Sequence, residues 1–122
     1  MVKKILIGED EKPMARALEL KLTKSGFEAK AVFDGQEVLN ELAKNKYDLV
    51  LLDLIMPVKD GFAVLEELNN KKNKIPVIVS SNLGQPEDVA RAKKLGAVNY
   101  FIKSDTPINE VISFIKKALK IK

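Results

Sequence analysis

The sequence predicts an α/β fold: a doubly wound five-stranded parallel sheet, (βα)5. Three observations carry that prediction. Short apolar runs alternate five times with longer amphipathic stretches, the pattern of strand–helix units joined by right-handed crossovers. Two of the runs, Leu49-Val50-Leu51-Leu52 and Ile75-Pro76-Val77-Ile78-Val79, are apolar throughout, as strands covered on both faces are. The amphipathic stretches are punctuated by proline at their starts and glycine past their ends.

In chain order, Lys4 to Gly8 reads as β1. Pro13 to Ser25 reads as α1, with Pro13 near its first turn, Gly26 past its end, and Ala15, Leu18 and Leu22 on one face. Glu28 to Phe33 alternates as a half-buried β2, with Ala29, Ala31 and Phe33 on one side. Asp34 caps α2, which runs to about Asn45, and Glu37 three residues on completes a capping box. Asp48 to Asp53 is β3, and a loop, Leu54 to Asp60, follows. Gly61 to about Lys71 is α3, with Phe62, Leu65 and Leu68 in one stripe. Ile75 to Ser80 is β4. Pro86 to Leu95 is α4, its Glu87 and Asp88 at the start and Lys93 and Lys94 at the end suiting the helix dipole. Val98 to Ile102 is β5. Thr106 caps α5, which starts at Pro107 and buries Ile108, Val111, Ile112, Ile115 and Leu119.

Length and composition narrow the function. A chain of 122 residues holds one domain, expected over 1–122 with no output domain. No apolar run approaches the roughly 20 residues of a membrane span, so no membrane association is expected. Without cysteine or histidine there is no disulfide, thiolate, His-zinc or Ser-His-Asp chemistry. Carboxylates, hydroxyls, lysines and a bound metal remain. The net charge of +4 is unevenly spread: residues 1–61 hold 10 Lys/Arg against 11 Asp/Glu, and residues 62–122 hold 11 against 6. Within the basic half, Lys116, Lys117, Lys120 and Lys122 are expected on the outer face of α5. That face suits an acidic partner or simple solvation better than nucleic acid.

In doubly wound sheets, ligands sit beyond the carboxyl ends of the strands. Here those ends carry Glu9-Asp10-Glu11, Asp53, Ser80-Ser81 and Lys103. Carboxylates gathered on one rim raise one another's pKa or require a cation. A hard divalent ion such as Mg²⁺ meets that need through oxygen ligands and keeps water positions open for a phosphoryl oxygen.

These segments resemble the receiver (response-regulator) domain of two-component signalling, the chemotaxis-regulator type. The likeness rests on Ile5-Leu6-Ile7-Gly8-Glu9-Asp10-Glu11, Leu51-Leu52-Asp53-Leu54-Ile55-Met56-Pro57-Val58-Lys59-Asp60-Gly61, Pro76-Val77-Ile78-Val79-Ser80-Ser81 and Gly96-Ala97-Val98-Asn99-Tyr100-Phe101-Ile102-Lys103, in order and correctly spaced. It implies the flavodoxin-like strand order 2-1-3-4-5. It implies Asp53 as phosphoacceptor, and Mg²⁺ (or Mn²⁺) held by Asp10, Asp53, the Ile55 carbonyl and, through water, Glu9. Lys103 and Ser81 would contact the phosphoryl group, and Tyr100 would be an aromatic switch. Ile55 and Leu83 occupy positions that tune hydrolysis, and being apolar they imply slow autodephosphorylation. The resemblance further implies a cytoplasmic regulatory domain, catalysing only its own phosphorylation and dephosphorylation. Its donor would be a sensor histidine kinase or phosphotransfer protein. Its target would be a protein effector or an output domain, with homodimerisation through α4-β5-α5.

Three positions depart from the family pattern. Ser104 replaces the usual proline after Lys103, so a trans peptide is expected there. Asn82 replaces a small residue and is expected to narrow access to Asp53. Gly8 replaces an aliphatic residue and is expected to thin the core. Three other readings fit less well. A haloacid-dehalogenase-like phosphatase would need a second acid at Ile55. A nucleotide or flavin binder would need a glycine-rich loop after β1. A nucleic-acid module has only the basic surplus in its favour.

Overall fold

The computed structural model describes residues 2–121. Its strands are β1 Lys4–Gly8, β2 Glu28–Val32, β3 Leu49–Leu52, β4 Val77–Ser81 and β5 Asn99–Ile102. Its helices are α1 Lys12–Lys24, α2 Gly35–Lys44, α3 Gly61–Asn70, α4 Pro86–Lys94 and α5 Ile108–Ala118, with a single 3-10 turn at Lys103–Asp105. All neighbouring strands are parallel, in the order β2-β1-β3-β4-β5.

The alternation of side chains along each strand divides the core into two layers. Ile5, Ile7, Leu49, Leu51 and Ile78 face α1 and α5, where Leu18, Leu22, Val111, Ile112 and Ile115 meet them. Leu6, Val50, Leu52 and Val79 face α2, α3 and α4, meeting Val38, Phe62, Leu65 and Ala92. Each fully buried leucine or isoleucine contributes about 2 kcal/mol relative to exposure. Ala29 and Ala31 join the first layer, as the alternation of β2 predicts, and Val32 joins the second.

The differences from expectation lie at element ends. β4 begins at Val77 because Pro76 has no N–H to give the ladder; the Ile75 N–H goes instead to the Asn73 side chain at 3.0 Å. β2 stops at Val32 because the Phe33 N–H is taken by Glu37 Oε1 at 2.9 Å. Asp34 does cap α2, accepting the Glu37 N–H at 2.8 Å, but Glu37 reaches back one residue past the cap rather than to it. Thr106 does not cap α5. The N-cap is Pro107, and the Thr106 hydroxyl donates to the Ile102 carbonyl at 2.7 Å. Asp60, read as the end of a loop, caps α3 by accepting the Ala63 N–H at 2.8 Å.

The core is not thinned at Gly8. A Cβ there would stand 2.8 Å from Val38 Cγ2 and 3.1 Å from Leu52 Cδ1, so neighbours have closed over the space. Along α5, Lys117 is exposed and Lys116 half-buried; Lys120 lies past the helix end, and Lys122 lies outside the described residues. Among the described residues no helix is long and apolar enough to cross a membrane.

The loop between β3 and α3 holds one strained residue. Lys59 N–H donates to the Pro57 carbonyl at 2.8 Å, closing a γ-turn over Val58, whose φ is 67°. That is the rare, strained hand of the turn, occupied by a β-branched residue that is 78% exposed. Such a residue stores about 1–3 kcal/mol, more than glycine's extra unfolded-state entropy of about 0.5–1 kcal/mol. Val58→Gly is therefore expected to stabilise the protein by about 1 kcal/mol. A urea denaturation midpoint at or below that of the parent would show that Val58 is unstrained.

Candidate functional site

β1 and β3 are neighbours, and their last paired residues are Gly8 and Leu52. The next residue on each, Glu9 and Asp53, therefore emerges side by side at the carboxyl edge of the sheet. The ladder continues one step through Asp53, whose N–H donates to the Gly8 carbonyl at 2.9 Å. Glu9 is 2% exposed and Asp53 4%. Asp10 is exposed, and an oxygen of each of the three lies within 4.8 Å of the others.

The cation that balances them comes from the turn directly after β5. Lys103, itself buried, donates from Nζ to Glu9 Oε1 at 2.8 Å and to Asp53 Oδ2 at 2.9 Å, and its Nζ stands 3.5 Å from Glu11 Oε1. The remaining oxygens are also engaged: Glu9 Oε2 accepts the Glu11 N–H at 3.1 Å, and Asp53 Oδ1 accepts the Ile55 N–H at 3.3 Å. Burial pushes the Glu9 carboxyl up, only partly opposed by the Lys103 and Glu11 hydrogen bonds. Burial works against the Lys103 ammonium, but hydrogen bonds and charge from Glu9 and Asp53 hold it above the ordinary lysine value.

A cleft of about 170 Å³ opens over this cluster, lined by Asp10, Glu11, Asp53, Ile55, Asn82 and Lys103. Of the two residues expected to face a hydrolytic water, Ile55 lines the cleft and Leu83 does not; Leu83 packs half-buried against the second core layer. Ser81 is fully buried behind the cleft, its Oγ accepting the Leu83 N–H at 3.2 Å. The Leu83 carbonyl in turn accepts the Tyr100 hydroxyl. Tyr100 is half-buried, and burial, with Asp88 and Asp53 nearby, raises its hydroxyl, so it stays a donor at neutral pH. Ser81, Leu83 and Tyr100 thus form one chain of hydrogen bonds from the site to the outer side of β5.

Every peptide bond among the described residues is trans, Lys103–Ser104 included. Asn82 does line the cleft, and its Oδ1 also accepts the Ser104 N–H at 2.9 Å, a partner that a proline there could not supply. Two contributors escaped the sequence reading. Glu11 was seen at the strand end without a role and proves a third carboxylate beside Lys103. Gly61 lets the start of α3 rest against the Asp53 carbonyl; a Cβ there would stand 2.7 Å from Leu54 Cα. A glycine opening a helix already capped by Asp60 signals such a close approach, since alanine would otherwise serve better.

The three carboxylates offer only hard oxygen donors, the chemistry a divalent Mg²⁺-type ion prefers. Residues 5–115 match the model of the response regulator receiver domain. The chain belongs to that family. It is 38% identical over 105 residues to the "Probable transcriptional regulator ycf27" of Cyanophora paradoxa, covering 86% of this chain and 44% of that protein. The receiver domain therefore spans less than half the length of this curated relative. A Francisella response regulator receiver domain is similar over 97% of both chains, with 30% identity and a TM-score of 0.92. The receiver domain of a signal transduction histidine kinase from Syntrophus aciditrophicus is 30% identical, with a TM-score of 0.88 over 98% of this chain and 91% of that one.

Removing the lysine of this receiver site would leave two buried carboxylates facing each other. Lys103→Met is expected to destabilise the metal-free domain at pH 7 by about 3 kcal/mol. An acid whose folded pKa is raised contributes stability that is present below its unfolded value of 4.5 and lost as pH rises through the folded one. Without Lys103, Glu9 loses a lowering influence, so the deficit of the variant should shrink as pH falls toward 4.5. Urea titrations at several pH values measure this; a deficit independent of pH would show that the lysine does not restrain Glu9.

Proposed function

We propose that this receiver domain is a phosphorylation-activated switch in which Asp53 accepts a phosphoryl group from a sensor histidine kinase or phosphotransfer protein. The observation that carries this reading is Asp53 itself. It is a nearly buried carboxylate at the wall of an open cleft, with two carboxylates and one ammonium gathered about it. Phosphoryl transfer needs positioning and charge neutralisation more than covalent machinery, and this arrangement supplies both.

In the step, an Asp53 carboxylate oxygen forms a bond to phosphorus. The bond from phosphorus to the donor nitrogen breaks, and its electron pair leaves with the donor imidazole. Asp10, Asp53, the Ile55 carbonyl and, through water, Glu9 would hold Mg²⁺ or Mn²⁺. Bound there, the ion supplies charge neutralisation and orientation for phosphoryl oxygens. Lys103 keeps its charge across the physiological range and can pass from Glu9 and Asp53 to the incoming oxygens. The Ser81 hydroxyl accepts the Leu83 N–H, and its own O–H can be turned to the acyl phosphate. If Ser81 turns toward that group, its bond to the Leu83 N–H is released and the Tyr100 hydroxyl follows the loop. The altered face, α4-β5-α5, would then meet a protein effector, an output domain or a second copy of the chain. Such a domain regulates and turns over only its own phosphoryl group.

Ile55 in the cleft cannot orient a hydrolytic water, which supports slow autodephosphorylation. Incubation with Mg²⁺ and a small phosphodonor is expected to add one phosphoryl mass, absent in Asp53→Asn. The adduct should decay over minutes or longer, and Ile55→Asn should shorten its life about tenfold, as one positioned polar group can. No adduct with any donor or metal would refute the switch, and a half-life of seconds would refute slow turnover. Mg²⁺ without donor should raise the melting temperature by mass action, and Asp10→Asn should abolish the rise. An unchanged rise would place the ion elsewhere.

A further inference from the structure

Ser81 and Ile102 form the last pair of the β4–β5 ladder. One residue beyond, the ladder is replaced by a side-chain rung: the Ser104 N–H donates to Asn82 Oδ1 at 2.9 Å. The 3-10 turn Lys103–Asp105 follows β5 directly and has no capping side chain of its own, so Asn82 satisfies one of its orphan amides from the neighbouring loop. Thr106 fastens the far side of the same turn to the Ile102 carbonyl at 2.7 Å. The backbone that launches Lys103 is thus pinned on both sides, and the ammonium lands 2.8 Å from Glu9 and 2.9 Å from Asp53. The two departures from the family pattern near this rim, Asn82 and Ser104, meet in one bond.

We propose that Asn82 is a positioning residue: through the Ser104 amide it sets where Lys103 stands relative to Asp53, beyond any effect of its bulk on access to the cleft. The proposal rests on the reading of Asp53 as phosphoacceptor for its rate effect only; the effect on Lys103 is independent of it.

Asn82→Leu keeps the branched shape and at least the bulk of the side chain and removes the acceptor, whereas Asn82→Ala removes both. In the full chain, both variants should speed hydrogen exchange at the Ser104 amide about fivefold, the loss expected for one exposed hydrogen bond. Both should also slow phosphorylation of Asp53 by acetyl phosphate at saturating donor. Unchanged exchange at Ser104, or faster phosphorylation in Asn82→Ala with the parent rate in Asn82→Leu, would overturn the proposal, the latter leaving Asn82 as a steric gate. A stability cycle between Asn82→Leu and Lys103→Met needs no phosphorylation. The effect of the Asn82 change should shrink when Lys103 is already absent, and strict additivity would overturn the proposal even if Asp53 proves unreactive.

Discussion

The carboxyl edge of this sheet depends on one lysine held between two buried carboxylates. Glu9 and Asp53 emerge together because β1 and β3 are paired up to Gly8 and Leu52. Their proximity is a consequence of topology and is unfavourable by itself. Lys103 makes it tolerable, and it does so from two strands away, since β4 lies between β3 and β5. A residue as long as lysine is needed to cross that distance. The strand order and the buried acid pair are thus parts of one electrostatic requirement. Buried ion groups of this kind are weak stabilisers but strong specifiers of geometry, because each member is costly to leave unpaired.

The loop after β4 is tied to β5 at two points. Leu83 donates its N–H to Ser81 Oγ and accepts the Tyr100 hydroxyl at its carbonyl, while Asn82 Oδ1 accepts the Ser104 N–H. The first connection runs from the site to Tyr100 on β5; the second returns to the base of Lys103. A displacement of Ser81 therefore cannot remain local. It must either carry Tyr100 and the turn after β5 with it or break one of these bonds. Two-state behaviour arises in this way, from packed elements with discrete alternatives and not from continuous deformation.

Much of this was legible in the residues. Continuous apolar runs identify β3 and β4, and the strand-end rule selects Glu9-Asp10-Glu11, Asp53, Ser80-Ser81 and Lys103, among which the family resemblance singles out Ser81. Those inferences work because burial and alternation are properties of the strand itself. What escaped were contacts whose partners depend on the path of a loop. Thr106 looks like a helix cap in sequence, yet its hydroxyl bonds the strand behind it. Gly8 looks like a missing side chain, yet Val38 and Leu52 fill its place. Tyr100 could equally have kept its hydroxyl in solvent; only the course of residues 81–83 brings a carbonyl within its reach. Asn82 read as bulk because its size is visible in sequence and its acceptor's target is not.

Charge balance at the rim also bears on which group would answer the phosphorylation proposed for Asp53. Glu9, Asp10 and Asp53 against Lys103 leave the cluster anionic, and a divalent ion held by it would bring the sum near neutrality. Converting Asp53 from a carboxylate to an acyl phosphate would raise its negative charge by roughly one. Lys103 is already fully engaged and can only redistribute its three protons. Glu11, 3.5 Å from the Lys103 ammonium, carries the wrong sign. The Ser81 hydroxyl, buried behind the cleft, accepts the Leu83 N–H and keeps an O–H that can be redirected. New negative charge in a low-dielectric setting draws the available O–H toward it. That pull acts on the loop whose other attachment is Tyr100, so electrostatics at Asp53 and packing on β5 meet in a single hydroxyl.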